Sequence, residues 1–253
     1  MDADADGTNI RSQRVPMNVE PFRDEHPDLP TVCGFIHHPV CGSGDWLILA
    51  HGAAGNCNSP LLIALATAFS ASGIAVFRCD LPFRVARPNG RPTASLAARD
   101  QSGLKRAVQL MKARASRVYL GGHAYGGHQA SLLAASDPTL VTGLLLLSYP
   151  LHPPKQSAPL RTQHFSSLRT PAMFVQASKD PFGTHDELRS ALDGVPAATR
   201  LVVVENARHE LLTDSNTDTL PGAVVSEFRG FFGLRIKNKS GVVNVLAKAR
   251  VKT

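Results

Sequence analysis

The feature that most constrains this chain is an alternation. Short apolar runs ending in small or polar residues are separated by segments with helical periodicity. DWLILAHG (45–52) is an apolar run too short for a helix and closed by glycine, the pattern of a buried strand. SPLLIALATAF follows, opening on Ser59-Pro60, a helix start signal, and setting Leu61, Leu65 and Phe69 on one face. IAVFRCDLP (74–82) predicts the next strand, after which Leu104, Val108 and Met111 recur at helical spacing. RVYLGG (117–122) predicts a strand and then a helix to about residue 136. LVTGLLLLSYP (140–150) and PAMFVQASKD (171–180) predict further strands, and Leu188 and Leu192 mark a short helix. RLVVVEN (200–206) is a final strand before a helix carrying Val224, Val225, Phe228 and Phe232. Strand–helix alternation of this kind predicts an α/β domain with a mostly parallel sheet, helices on both faces and, from the right-handed crossover rule, double winding.

With 253 residues, 43% of them hydrophobic, the chain accommodates one such domain with a sizeable core and is not a disordered protein. Residues 1–30 are polar, with scattered proline, and read as a flexible N-terminal arm; residues 31–234 form the domain. The formal net charge of +7 is unevenly spread, because RIKNKSGVVNVLAKARVKT (235–253) carries six Lys or Arg and no acid. That basic tail reads as a solvated appendage, the other reading being a weak contact with nucleic acid or a membrane surface. No aromatic residue interleaves with its charges, which argues against a platform for stacking bases. Cys33, Cys41, Cys57 and Cys79 have no C-x-x-C spacing and are expected as free thiols in a reducing compartment. Nothing approaches the ~20 apolar residues of a membrane span, and the start of the chain does not read as a secretion signal. The expectation is a soluble protein of the cytoplasm; its oligomeric state is not legible.

In open parallel sheets, ligands bind beyond the carboxyl ends of the strands, which locates the residues to consider. Strand 45–50 ends in His51-Gly52-Ala53-Ala54-Gly55-Asn56, and strand 117–122 ends in Gly122-His123-Ala124-Tyr125-Gly126. Lys179-Asp180-Pro181 ends the strand at 171–178, and Ala207-Arg208-His209-Glu210 follows the one at 200–206. The glycine frame around Ala124 suits a strand-to-helix turn too sharp for large neighbours. Turn, then acid, then histidine is the chain order of the α/β-hydrolase triad.

The block from about 45 to 232 resembles the α/β-hydrolase superfamily through HGAAGNCNSP, RCDLPFRVARP, GGHAYGGHQAS, LSYPLHPP, SKDPFG and ARHELL. Taken together these resemble a small, lidless dienelactone-hydrolase-like branch, which also includes hydrolase-like proteins of eukaryotic chromatin complexes. The resemblance implies an α/β-hydrolase fold with Ala124 at the nucleophile position, where the family pattern has Ser. It implies Asp180 as the acid holding His209 in one tautomer, and His209 as the base with Nε2 aimed at the turn. The backbone N–H groups of Tyr125 and Ala53 would form the oxyanion hole. The alternative for Asp180 is a cap on the helix beginning near 184, and for His209 a loop histidine.

Other polar residues have two readings each. Arg84 and Arg87 suit a carboxylate-bearing ligand, or a salt bridge such as one to Asp80. His123 lines the pocket or packs beneath the turn; His152 touches ligand or is a loop residue. His51 reads as a buttress of the oxyanion loop. Ser131 lies about two helical turns beyond the elbow and Cys57 is not on it, so neither replaces the missing nucleophile. No phosphate-binding or dinucleotide motif is present: Gly127 stands where a Walker lysine would be, and HELLT lacks the second His of a zinc motif. No cofactor and no metal are expected. The connection from 150 to 171 is too short for a helical lid, so no large lid covers the site.

The sequence leaves three functions open. One is a serine esterase or acyl hydrolase scaffold disarmed at Ala124, taking a small-molecule ester or acyl ligand. Another is a His–Asp general-base enzyme without a covalent intermediate. The last is a non-catalytic binding module.

Overall fold

The computed structural model describes residues 18–154 and 159–234, so the basic tail at 235–253 and the first part of the expected arm lie outside the described residues. In chain order the elements are β1 (Asn18–His26), β2 (Leu29–His38), β3 (Asp45–Ala50), α1 (Pro60–Ala71), β4 (Ala75–Cys79), α2 (Pro82–Ala86), α3 (Ala97–Lys112), β5 (Arg117–His123), α4 (Tyr125–Ser136), β6 (Gly143–Leu147), β7 (Ala172–Ala177), α5 (His185–Leu192), β8 (Thr199–Val204) and α6 (Leu220–Phe231). The strands form one sheet in the order β1-β2-β4-β3-β5-β6-β7-β8, parallel from β4 to β8 and antiparallel at β1 and β2.

Side-chain alternation along each central strand feeds two cores. Leu47 and Leu49 of β3, Tyr119 of β5 and Met173 and Val175 of β7 face Leu61, Leu62, Leu65 and Phe69 of α1 and Val224, Val225 and Phe228 of α6. Ile48 and Ala50, Leu120, and Phe174 face the other way, against Leu104, Val108 and Met111 of α3, Leu133 of α4 and Leu188 of α5. The predicted apolar stripe of α1 is wholly buried, and the Phe69 and Phe228 rings meet edge-on at 5.1 Å. Each such buried Leu or Phe contributes about 1.5–3 kcal/mol. Both faces are covered, which is the double winding the alternation predicts.

Residues 18–30 differ from the expected arm, because β1 and the start of β2 form an antiparallel hairpin from Asn18. The sequence conceals it for a physical reason. As the edge strand, β1 is exposed along most of NVEPFRDEH and shows no apolar alternation. Its ladder with β2, an edge contact between the Phe22 and Phe77 rings and an Arg106–Asp24 ion pair hold it. Pro21 and the charges are the residues that keep such an edge from recruiting another strand.

The order in which strands are added reverses at β3: β4 lies on one side of β3, whereas β5 and the strands after it lie on the other. Ala50 pairs with Gly122, so the loop after β3 and the turn after β5 leave the sheet side by side. This is the switch point at which open α/β sheets bind ligands. Between β6 and β7 the described residues contain only a short 3₁₀ turn at Phe165–Ser167, in keeping with the absence of a large lid. No helix among the described residues is long and apolar enough to cross a membrane.

Candidate active site

The turn after β5 is built by exclusion. A Cβ on Gly122 would lie 2.5 Å from the Ala50 carbonyl oxygen, and one on Gly126 would lie 2.6 Å from that of His51. Only glycine lets β5, α4 and the loop after β3 approach this closely. Ala124 sits at the apex with φ 47° and ψ −110°, immediately before the first residue of α4. A non-glycine residue in this region costs of order 1–3 kcal/mol and persists only where its surroundings over-determine it. Here the Ala124 N–H donates to Leu147 O at 2.8 Å and its carbonyl accepts from His128 N at 2.9 Å. Tyr125 opens the helix, so its N–H has no intrahelical acceptor. Its hydroxyl turns away and donates to the buried Asp100 at 2.7 Å, locking the ring.

The loop after β3 is held from two sides. The Gly55 N–H closes a turn on Gly52 O at 3.1 Å, placing Ala53 inside it. His51 is fully buried; it accepts from Leu81 N on Nε2 at 3.1 Å and so donates from Nδ1 to Gly52 O at 2.8 Å. Burial lowers its pKa, which keeps it a neutral buttress. Arg84 supplies the second support. Its Nε donates to Gly55 O and its two terminal nitrogens to the carbonyls of Ala53, Arg87, Pro88 and Gly90.

This differs from both expectations for Arg84. With only 8% of the residue exposed and five backbone carbonyls satisfied, it welds two loops together, and no salt bridge to Asp80 forms. Asp80 instead accepts from the Cys57 N–H at 2.7 Å and from its thiol at 3.3 Å. Burial, and then Asp80, push the Cys57 thiol up to about 12, so it supplies no thiolate nucleophile. Arg87 is exposed, and its backbone carbonyl is one of Arg84's acceptors.

On the far side, the fully buried Asp180 carboxylate accepts from His209 Nδ1 at 3.0 and 2.9 Å, one oxygen each. It also accepts from Phe182 N at 2.9 Å. Asp180 does not cap α5: Thr184 does, in a reciprocal capping box with Glu187. With Nδ1–H committed to Asp180, a neutral His209 carries its lone pair on Nε2. The Phe182 ring lies against the imidazole, centroids 4.3 Å apart, shielding one face.

The backbone of His209 is anchored across the strand ends. Its carbonyl accepts from His123 Nε2 at 2.8 Å and from Ser148 Oγ at 2.6 Å. His123 ends β5 and Ser148 follows β6, so a residue from beyond β8 is tied across the intervening β6 and β7 to the neighbour of Ala124. Ser148 is fully buried and, like Ala124, holds a positive φ, 46°. Sequence reading singled out neither Ser148 nor Phe182; a small polar residue following the Leu run of β6 is the faint signal for Ser148. His123 is 7% exposed and packs beneath the turn, with its Nδ1 close to Gly52. His152 is brought beside this loop rather than against Ala124: its N–H donates to Phe182 O at 3.0 Å and its imidazole faces Glu187 at 3.6 Å. Ser131 is fully buried and bonded to the His128 carbonyl and the His164 ring.

The fold and these strand-end residues define a protein of the α/β-hydrolase class. Residues 43–227 match the family model described as alpha/beta hydrolase domain, and the chain belongs to that family. Solved structures agree in fold. An alpha-beta serine hydrolase homologue from Coxiella burnetii matches with TM-score 0.68 at 18% identity, over 84% of this chain and 98% of the other. A dienelactone hydrolase from Anabaena variabilis matches with TM-score 0.69 at 17% identity, over 85% and 98%. A serine hydrolase without lid from Xanthomonas campestris matches with TM-score 0.64 at 16% identity, over 85% and 96%.

Proposed function

We propose that this chain is a carboxylic-ester or acyl hydrolase scaffold of the serine-esterase type in which Ala124 occupies the nucleophile position. It binds a small ester or acyl ligand and does not form an acyl-enzyme. The supporting observation is the link between His209 and the elbow: the imidazole is oriented by Asp180, and its carbonyl is bonded to the residue preceding Ala124. The strained backbone of Ala124 is the other support. A methyl group has no use for a φ of 47°, whereas a hydroxyl presented above a helix N-terminus does.

With serine at 124, the hydroxyl oxygen would attack the ligand's carbonyl carbon as His209 Nε2 took its proton. Asp180 would hold the imidazolium, and the N–H groups of Ala53 and Tyr125 would stabilise the oxyanion. Alanine closes that route. In related triads, removal of the serine lowers turnover by about 10⁶ and leaves roughly 10³–10⁴ over water from binding and electrostatics. Dienelactone hydrolase and lidless serine hydrolases among the structural neighbours make small, open-site substrates the class to test.

The test is the Ala124→Ser variant assayed against short p-nitrophenyl esters. A gain of several orders of magnitude over the unaltered chain is expected. A well-folded Ala124→Ser variant with no gain would remove the support for this reading.

A further inference from the structure

The crevice between the loop after β3 and the elbow contains a second imidazole that the serine mechanism does not use. His123 donates from Nε2 to the His209 carbonyl at 2.8 Å; since a carbonyl only accepts, the ring proton sits on Nε2 and Nδ1 is a bare lone pair. Nδ1 has no hydrogen-bond partner among the described residues. Its direction follows from Gly52: a Cβ built there would lie 2.9 Å from His123 Nδ1 and 3.7 Å from the Ala124 methyl carbon. His123 Nδ1 and the Ala124 methyl therefore both face Gly52. Burial lowers the His123 pKa, which favours the neutral ring in this position.

His209 presents the matching group, because its Nδ1–H is committed to Asp180 and its Nε2 is bare. The two ring centroids are 5.0 Å apart, with the planes inclined at 48°. Neighbouring rings that each carry an unpartnered lone pair disfavour an anion and suit a species with two O–H donors. Water has two donors, each able to reach such a nitrogen with a hydrogen bond of about 2.7–3.2 Å. With both hydrogens so engaged, its lone pairs point away from the bases.

The geometry points to direct hydrolysis of activated esters by a water held above the Ala124 methyl between His209 Nε2 and His123 Nδ1. This inference rests on the reading of His209–Asp180 as a hydrolase base. The water oxygen forms a bond to the ester carbonyl carbon while its proton passes to His209 Nε2. The carbonyl π pair moves to oxygen, facing the N–H groups of Ala53 and Tyr125. Collapse breaks the ester C–O bond, and His209 returns the proton to the departing alkoxide. Ester and water give carboxylic acid and alcohol, with no acyl-enzyme. His123 acts as a second acceptor that orients the water.

The experiment measures p-nitrophenyl acetate hydrolysis by the unaltered chain and by the His209→Ala and His123→Gln variants, with folding checked by circular dichroism. Glutamine retains an N–H that reaches the His209 carbonyl but offers no base in place of Nδ1, which separates water orientation from the structural clamp. The unaltered chain should turn over without a burst, resist a fluorophosphonate, form no acyl adduct by mass spectrometry and slow in D₂O. His209→Ala should lose about 10²-fold, the lower end of general-base contributions, and His123→Gln about 5-fold in kcat with KM held. Hydrolysis by the unaltered chain no faster than by His209→Ala, an acyl adduct, or an unchanged kcat in His123→Gln would overturn the inference. Should Ala124→Ser gain a fluorophosphonate-sensitive activity while the unaltered chain shows none, the water route falls and the disarmed-hydrolase reading stands. Failure of both brings down both.

Discussion

His123 Nε2 lies 2.8 Å from the carbonyl oxygen of His209, so the histidine after β8 is bonded to the residue directly before the elbow alanine. Ser148 Oγ donates to the same oxygen at 2.6 Å. The two donors fix the backbone of His209, while Asp180 fixes its ring.

That double anchor predicts a positioning effect. In an Ala124→Ser background, Ser148→Ala should lower kcat about 10-fold with little change in KM, because sub-ångström misplacement of a base penalises the chemical step. His123→Ala should do the same, and His123→Gln should restore most of it by re-forming the bond to the carbonyl. Steady-state kinetics on p-nitrophenyl esters check this; equal losses in kcat and KM, or no rescue by Gln, would show that the anchor does not position the base.

Arg84 predicts a stability effect without a specificity effect. Its side chain is buried and makes five part-buried bonds to carbonyls. Arg84→Met should therefore lower unfolding free energy by about 2–4 kcal/mol, leaving those carbonyls poorly satisfied. It should not change the preference of Ala124→Ser for esters bearing a free carboxylate over neutral ones. Urea unfolding and a two-substrate comparison measure both; a selective loss of the carboxylate-bearing ester would return Arg84 to a ligand-binding role.

Strain at the elbow predicts an inversion of the usual glycine penalty. Ala124→Gly relieves φ 47° and should be neutral or stabilising by up to about 1 kcal/mol. Ala130→Gly, in the body of the same helix and fully buried, should cost about 1–2 kcal/mol. Equal destabilisation by the two substitutions, measured by denaturant unfolding, would mean that the alanine is unstrained.

Acid stability follows from His128 on α4 and the His164 ring beside it. Burial pushes His128 and His164 down to about 4, from an ordinary value of 6.5. Between those values the unfolded chain binds more protons than the folded one. Their contribution is therefore complete above pH 6.5, declines as pH falls and levels off below pH 4. Unfolding curves from pH 7 to 4 should show this slope, reduced in a His128→Leu, His164→Leu double variant. An unchanged slope in that variant would place the acid sensitivity elsewhere.

The parts of the fold legible in the sequence were those whose side chains face a core. Leu61, Leu65 and Phe69 carry a periodicity that burial on one face enforces, and the Leu run of β6 is apolar throughout because both its faces are buried. The hairpin of β1 was not legible because an edge strand is held mainly by its backbone, and NVEPFRDEH carries no alternation to read. At the site, Asp180 and His209 stood out because they end successive strands in triad order, and the structure pairs them. Ser148 and Arg84 could not be read in the same way. Their roles lie in hydrogen bonds to carbonyls distant in sequence, which any polar residue could make until the loops are placed.

Covalent labelling of Ala124→Ser with a fluorophosphonate, read by intact and peptide mass spectrometry, tests whether residue 124 stands where a triad nucleophile would. One adduct per chain is expected on residue 124, absent from the unaltered chain and lost when His209→Ala is added. A folded Ala124→Ser chain that stays unlabelled, or labels equally well without His209, would contradict it.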